Sequence, residues 1–170
     1  MIPTKVRSFD SGGGVQTIID LPGRYLFPAE IFVSSEPTMI STVLGSCVAV
    51  CLWDFRFAIG GMNHFLLPLW NGDGLATPKY GNIAIRHLLE KVIDKGAERK
   101  NLQAKIFGGA AMWNHTEGLF AIGLRNIELA QQQLQELQIP VTASDVGGTM
   151  SRKIFFNTGD GSVLLRRQRS

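Results

Sequence analysis

The chain has 170 residues, 45% of them apolar and 18% charged, with a formal net charge of +3. That length suits one domain with a substantial core, and the composition is ordinary for a globular protein. The charge is too small to argue for nucleic acid, and no apolar run approaches the ~20 residues that span a bilayer.

Basic residues gather at the ends: Lys5 and Arg7 near the N-terminus, and Arg166, Arg167 and Arg169 near the C-terminus. They read as solubilising tails or as a weak field towards an acidic partner. The N-terminus lacks the basic start and apolar core of a signal peptide. Cys47 and Cys51 would stand about 13 Å apart on a strand rising ~3.3 Å per residue, too far for a disulfide. Free thiols suit a reducing compartment, and the expected location is the cytoplasm.

Residues 1–24, with Ser11-Gly-Gly-Gly14 and Pro22-Gly23, lack sustained periodicity and are expected to form a flexible arm. Residues 25–170 are expected to form a single domain. Ile31 to Val33 is a short strand. Cys47 to Trp53 is a stronger one, apolar on both of its alternating faces and so expected to be buried on both. Asp54 to Phe57 turns the chain, and Ala58 to Leu66 returns as the second strand of a hairpin. Pro68 to Pro78 is a loop. Asn82 to Lys95 is a helix with Ile85, Leu88, Leu89, Val92 and Ile93 on one stripe, Asn82 capping its start and Gly96 its end. Lys105 to Phe107 is a strand. Leu124 to Gln138 is a second helix, with Ile127, Ala130, Leu134 and Leu137 inward and Pro140 forbidding continuation. Val141 to Val146, Arg152 to Phe156 and Ser162 to Leu165 are further strands. The pattern is α+β, with mixed, largely antiparallel sheets covered by helices.

The chemistry-bearing residues gather in Ser41-Thr-Val-Leu-Gly-Ser-Cys-Val-Ala-Val50 and Gly60-Gly-Met-Asn-His-Phe-Leu-Leu-Pro68. Cys51 sits in mid-strand and reads as a small core hydrophobe. Cys47 is either a core thiol of the same kind or a nucleophile: it follows a Gly-Ser turn at the mouth of its strand, where substrate can reach it and where the amides of Gly45 and Ser46 can face an oxyanion. His87 falls on the solvated face of the first helix, and His115 lies in a loop without an obvious partner. His64, on the returning strand, is either a satisfied core histidine or the base that activates Cys47. Ser41 and Thr42 are the hydroxyl candidates for orienting its ring. Cysteines at i and i+4 with scattered histidines make no zinc spacing, and the glycine pairs make no nucleotide fingerprint. Neither metal nor organic cofactor is expected.

With these two segments, and with Lys79-Tyr-Gly81, Lys105-Ile-Phe-Gly-Gly-Ala110, Ile122-Gly-Leu-Arg-Asn126 and Asp145-Val-Gly-Gly148, the chain resembles the chemoreceptor glutamine deamidases, the CheD family, from about Tyr25 to Arg167. The resemblance implies a three-layer α/β/β sandwich similar to the catalytic domains of certain bacterial deamidating toxins. It implies hydrolysis of glutamine side chains on methyl-accepting chemotaxis proteins to glutamate and ammonia, and in some members of glutamyl methyl esters. It also implies a CheC-type phosphatase as partner. The family's nucleophile maps to Cys47 and its histidine to His64. Its third residue, a threonine six positions before the cysteine, maps to Ser41, with Thr42 beside it. The rival readings are a cysteine amidase or esterase with another substrate, and a non-catalytic binding module.

Overall fold

The computed structural model describes residues 3–6, 19–111 and 117–168. In chain order the elements are β1 (Pro3–Val6), β2 (Ile19–Tyr25), β3 (Ile31–Ser34), β4 (Met39–Leu44), β5 (Val48–Asp54), β6 (Ile59–Asn63), α1 (Gly81–Asp94), β7 (Leu102–Gly108), α2 (Glu117–Glu136), β8 (Val141–Val146), β9 (Ser151–Asn157) and β10 (Val163–Gln168). The strands form two sheets, ordered β1-β2-β4-β9-β10 and β3-β6-β5-β7-β8. Pairing is antiparallel except for β2 with β4 and β7 with β8.

Two apolar clusters divide the interior. One joins Val48, Val50 and Leu52 of β5 to Ala84, Ile85, Leu88 and Val92 of α1 and Ile127, Ala130 and Leu134 of α2. The other joins Ala49 and Cys51 of β5 to Ile40 and Leu44 of β4 and to Ile154 and Phe156 of β9, with Cys47 and Trp53 packed against it. Strand β5 therefore sends alternate side chains into the helices and into the opposing sheet, as its doubly apolar sequence requires. The layers are helices, sheet and sheet, the sandwich expected above.

Several local expectations change. Strands β1 and β2 pair antiparallel within the segment expected to be an irregular arm. They escape the sequence reading because Pro22 and Gly23, residues depleted in strands, sit inside β2 and mask its periodicity. Residues 7–18, His115 and Arg169 lie outside the described residues. Strand β4 was not anticipated; it buries Ile40, Thr42 and Leu44 on one face, and a polar threonine in that row hides the alternation. Helix α1 starts from Tyr80 without a side-chain cap, because Asn82 Oδ1 instead accepts from the Trp70 N–H at 3.0 Å. Ile93 of α1 is 39% exposed rather than buried. Helix α2 begins seven residues before the expected Leu124, at Glu117.

The glycines after β7 matter most for the site. Gly108 has φ 107°, and a Cβ there would collide with the Cys47 carbonyl. Gly148 has φ 68° but open space around it. A left-handed conformation alone costs a non-glycine residue about 1–2 kcal/mol. Gly108→Ala should therefore destabilise the fold clearly more than Gly148→Ala, by about 2 kcal/mol or more against about 1 kcal/mol. Urea unfolding of the two variants compares these values, and equal losses would show that the approach to Cys47 is not a constraint.

Candidate active site

Gly45, Ser46 and Cys47 carry the chain from β4 in one sheet to β5 in the other. The carbonyls of this turn are held. Gly45 O accepts from the Ala110 N–H at 2.8 Å and Cys47 O from the Gly109 N–H at 2.8 Å. Ser46 O accepts from Asn126 Nδ2 at 3.1 Å. In contrast, the N–H groups of Gly45, Ser46 and Cys47 donate to no backbone carbonyl among the described residues. A trans peptide points its N–H away from its C=O, so pinning the Gly45 and Ser46 carbonyls fixes where the Ser46 and Cys47 amides aim, while the Val48 amide, on the Cys47 carbonyl's peptide, donates to Phe65 O. The result is a preformed row of donors beside a half-buried thiol.

His64 follows β6. Val48 and Phe65 exchange backbone hydrogen bonds, Val48 N–H to Phe65 O at 3.1 Å and Phe65 N–H to Val48 O at 3.0 Å. This register places Cys47 opposite Leu66 and Ala49 opposite His64. Cys47 and His64 thus project from the same sheet face as diagonal neighbours, a separation long side chains can bridge. The ring is 3% exposed. Its Nδ1 lies 2.8 Å from Thr42 Oγ1, which donates its own proton to Leu26 O at 2.7 Å. A hydroxyl whose proton is committed can only accept, so Nδ1 carries the ring proton and Nε2 has the free lone pair. Nε2 is buried and has no hydrogen-bond partner. Backbone bonds from Ala29 N–H to His64 O, 2.7 Å, and from His64 N–H to Glu30 O, 3.2 Å, hold the residue itself.

Burial decides the charge state. Desolvation raises the Cys47 thiol above its ordinary value, opposed in part by its own backbone amide. Desolvation pushes His64 down to about 4, opposed in part by the Leu26 backbone. The resting pair is neutral thiol and neutral imidazole, the form of the ring whose free lone pair a general base needs. Cys51, 1% exposed, is raised further by burial and stays an inert core thiol.

Thr42 and His64 are in contact, and the strand register places Cys47 and His64 as diagonal neighbours on one sheet face. Ser41 is not part of this group. On β4 it alternates with the inward Thr42, so its side chain lies on the opposite face from His64, and its backbone carbonyl accepts from the Leu26 N–H at 2.8 Å. The geometry departs here from the position to which the resemblance maps the third residue. His87 is partly exposed on α1, away from this cluster.

The glycine-rich motifs turn out to be the frame of the turn. Gly108 and Gly109 approach the Cys47 carbonyl and Ile127 too closely for any side chain. Gly81 approaches Phe65 and Leu129 in the same way, and its N–H donates to Leu67 O at 2.8 Å. Gly147 N–H donates to Gly108 O at 2.9 Å, while Asp145 holds Arg152, whose Nη2 reaches Gly147 O at 2.7 Å. Individual roles for Asn126 and for the Leu26 carbonyl were not legible beforehand. The one available signal for Asn126 was a polar residue on the otherwise apolar stripe of α2.

Comparison with known proteins agrees with this frame. The model for the family described as "CheD chemotactic sensory transduction" matches residues 66–167. The protein named probable chemoreceptor glutamine deamidase CheD of Trichlorobacter lovleyi is 57% identical over 143 residues, covering 84% of this chain and 89% of that protein. Its namesake in Sulfurimonas denitrificans is 49% identical, covering 84% of this chain and 92% of the relative. That of Anaeromyxobacter dehalogenans, CheD 1, is 46% identical, covering 84% and 83%. A solved structure of a Neisseria meningitidis protein of the DUF152 family matches 75% of this chain and 63% of its own at 13% identity and a TM-score of 0.39. The chain belongs to the CheD family of chemoreceptor glutamine deamidases.

Two outcomes follow from the site's electrostatics. The unfolded chain takes up a proton on His64 near pH 6.5 that the folded chain refuses until about pH 4. Stability is thus complete above pH 6.5 and falls as pH drops towards 4, by about 3 kcal/mol from this residue. Urea midpoints across that range should show the slope, and His64→Gln should remove its share. Alkylation by iodoacetamide should reach Cys47 well before Cys51 and accelerate as pH rises past 8; equal, slow labelling of both thiols would contradict the assigned exposures.

Proposed function

We propose that the protein is a protein-glutamine deamidase, a hydrolase acting on the glutamine carboxamides of methyl-accepting chemotaxis receptors, with Cys47 as nucleophile, His64 as general base and acid, and Thr42 as the group that orients the ring. The observation that carries the residue assignment is the Thr42–His64 contact at 2.8 Å, which leaves Nε2 unprotonated on the sheet face shared with Cys47. Nε2 takes the thiol proton, and sulfur attacks the carboxamide carbon. The developing oxyanion is received by amides of the Gly45–Cys47 turn; one such donor is typically worth ~10²–10³ in rate. Collapse breaks the C–N bond as Nε2–H delivers its proton to the departing nitrogen, giving ammonia and a thioester. Nε2 then takes a proton from water, whose oxygen attacks the thioester. Collapse expels the sulfur, which regains that proton, and glutamate leaves. The sum is carboxamide plus water to carboxylic acid plus ammonia, which ionise to carboxylate and ammonium, with no cofactor required.

The missing hydrogen bond between Nε2 and the thiol suits a resting enzyme, since such contacts commonly close only around substrate. No helix among the described residues is long and apolar enough to cross a membrane. The proposal includes action in the cytoplasm, on the helical receptor segments there, as the family resemblance implies. A CheC-type phosphatase is the partner implied by the family and forms part of the same proposal.

Incubation with receptor cytoplasmic fragments, followed by mass-spectrometric mapping of Gln-to-Glu changes, tests this reading. Cys47→Ala should abolish conversion. His64→Ala should lower kcat by about 10²–10⁴, the usual worth of general acid-base help. Thr42→Ala should lower it at least about tenfold with partial rescue by Thr42→Ser, whereas Ser41→Ala should remain within about twofold of the parent. Conversion by Cys47→Ala would sink the deamidase mechanism, and a larger loss in Ser41→Ala than in Thr42→Ala would overturn the orienting role of Thr42.

A further inference from the structure

Asn126 is fully buried on α2, and its Nδ2 makes two hydrogen bonds, to Ser46 O at 3.1 Å and to Leu66 O at 2.9 Å. Both amide protons are committed to carbonyls. A flipped amide would set Oδ1 against two carbonyl oxygens, so the orientation is determined. The same Oδ1 is buried without a partner. A residue kept for packing alone would not carry that cost, which an apolar side chain of the same shape avoids.

The two acceptors are not arbitrary. Ser46 O belongs to the peptide unit whose N–H is that of Cys47. Holding this carbonyl from the helix side turns the Cys47 N–H away from α2, towards the side of the thiol. Donation to the carbonyl also polarises the peptide and strengthens its N–H as a donor. Leu66 O lies two residues after His64, on the segment paired with β5. One side chain therefore ties the amide beside the nucleophile to the segment that carries the base. The reach is possible because Gly123, one turn earlier on the same helix face, lets α2 approach the Gly109 and Ala110 carbonyls more closely than a Cβ would allow.

We infer that Asn126 is a positioning residue of the reaction: it aims the Cys47 amide at the oxyanion and holds the nucleophile turn in register with the His64 segment. This rests on the thioester reading above, but it concerns the oxyanion alone. It therefore separates reactions that form an oxyanion from those that do not. Alkylation by iodoacetamide displaces iodide and forms none. A peptide aldehyde based on the glutamine side chain adds the thiol across its carbonyl and places oxygen where the oxyanion would be.

The test compares Asn126→Asp and Asn126→Leu with the parent protein. Expected are a kcat lower by about 10- to 100-fold, less than the ~10²–10³ lost when a donor is removed because here it is only misdirected, and a KM within about threefold. Aldehyde affinity should fall in step with kcat/KM, while the Cys47 alkylation rate stays within about twofold. Unchanged kcat in a folded variant overturns the inference. So does an alkylation rate that falls as far as kcat, because Asn126 would then only place the thiol. A readout on the parent protein covers the case in which neither variant folds. The Cys47 amide proton should move downfield in the NMR spectrum when the aldehyde binds, and the absence of a shift would refute the aim assigned to that amide. If the parent protein converts no receptor glutamine, the deamidase reading fails, yet the aldehyde and alkylation measurements still decide the role of Asn126.

Discussion

Strand β5 is covered on both faces, by helices on one side and by the opposing sheet on the other. Reactive chemistry cannot be placed within it, because a mid-strand side chain such as Cys51 is sealed from substrate. The strand's N-terminal end is different. There the chain crosses from sheet to sheet, and backbone groups leave the ladders. Cys47 occupies this exit, and the fold then has to solve the problem it creates. Carbonyls freed from a ladder need partners, or the turn would cost stability and lose definition. Those of Gly45, Ser46 and Cys47 find them in Ala110, Asn126 and Gly109.

That solution is directional. Every partner supplied to the turn is a donor to a carbonyl, so the Ser46 and Cys47 amides are left without a backbone partner among the described residues. The glycines of the downstream motifs serve this arrangement. Gly108, Gly109 and Gly123 permit backbone to approach backbone at distances a Cβ would forbid. The Asp145–Arg152 pair acts one layer further out, bracing the Gly147 carbonyl while the Gly147 amide holds Gly108. Burial also sets the chemistry. It disfavours the thiolate and the imidazolium alike, so the resting site is uncharged. Charge is created only as reaction proceeds, where fixed dipoles can meet it.

Much of this was legible in local pattern. The alternation of Cys47 to Trp53 announced a strand with two buried faces, and the Gly-Ser turn marked Cys47 rather than Cys51 as reachable. Helical phasing set His87 aside. The resemblance carried by the ordered motifs led to the family itself. Less legible were β2 and β4. Proline and glycine interrupt the first, and in the second the inward row contains Thr42, which breaks the apolar alternation because its job is a hydrogen bond rather than packing. Asn82, read as a cap, proved to hold the loop before α1, since a half-buried amide can satisfy either a helix terminus or a neighbouring strap.

The choice between Ser41 and Thr42 shows where local reading ends. Both hydroxyls are the right chemistry at nearly the same distance along the chain. Which of them meets His64 depends on which face of β4 is turned towards the other sheet, and a shift of one residue exchanges the two. That face is set by packing of Ile40, Leu44, Ile154 and Phe156 against Ala49, Cys51 and Met62 of the other sheet, contacts made across the sandwich. The sequence by itself determined the chemical inventory: a reachable thiol, a histidine and the glycines that let backbone crowd around them. Tertiary structure alone decided the partnerships among them, because hydrogen bonds such as Thr42 to His64 and Asn126 to Ser46 join residues 22 and 80 positions apart, and only the closing of the two sheets and the helix layer brings their atoms within 3.1 Å.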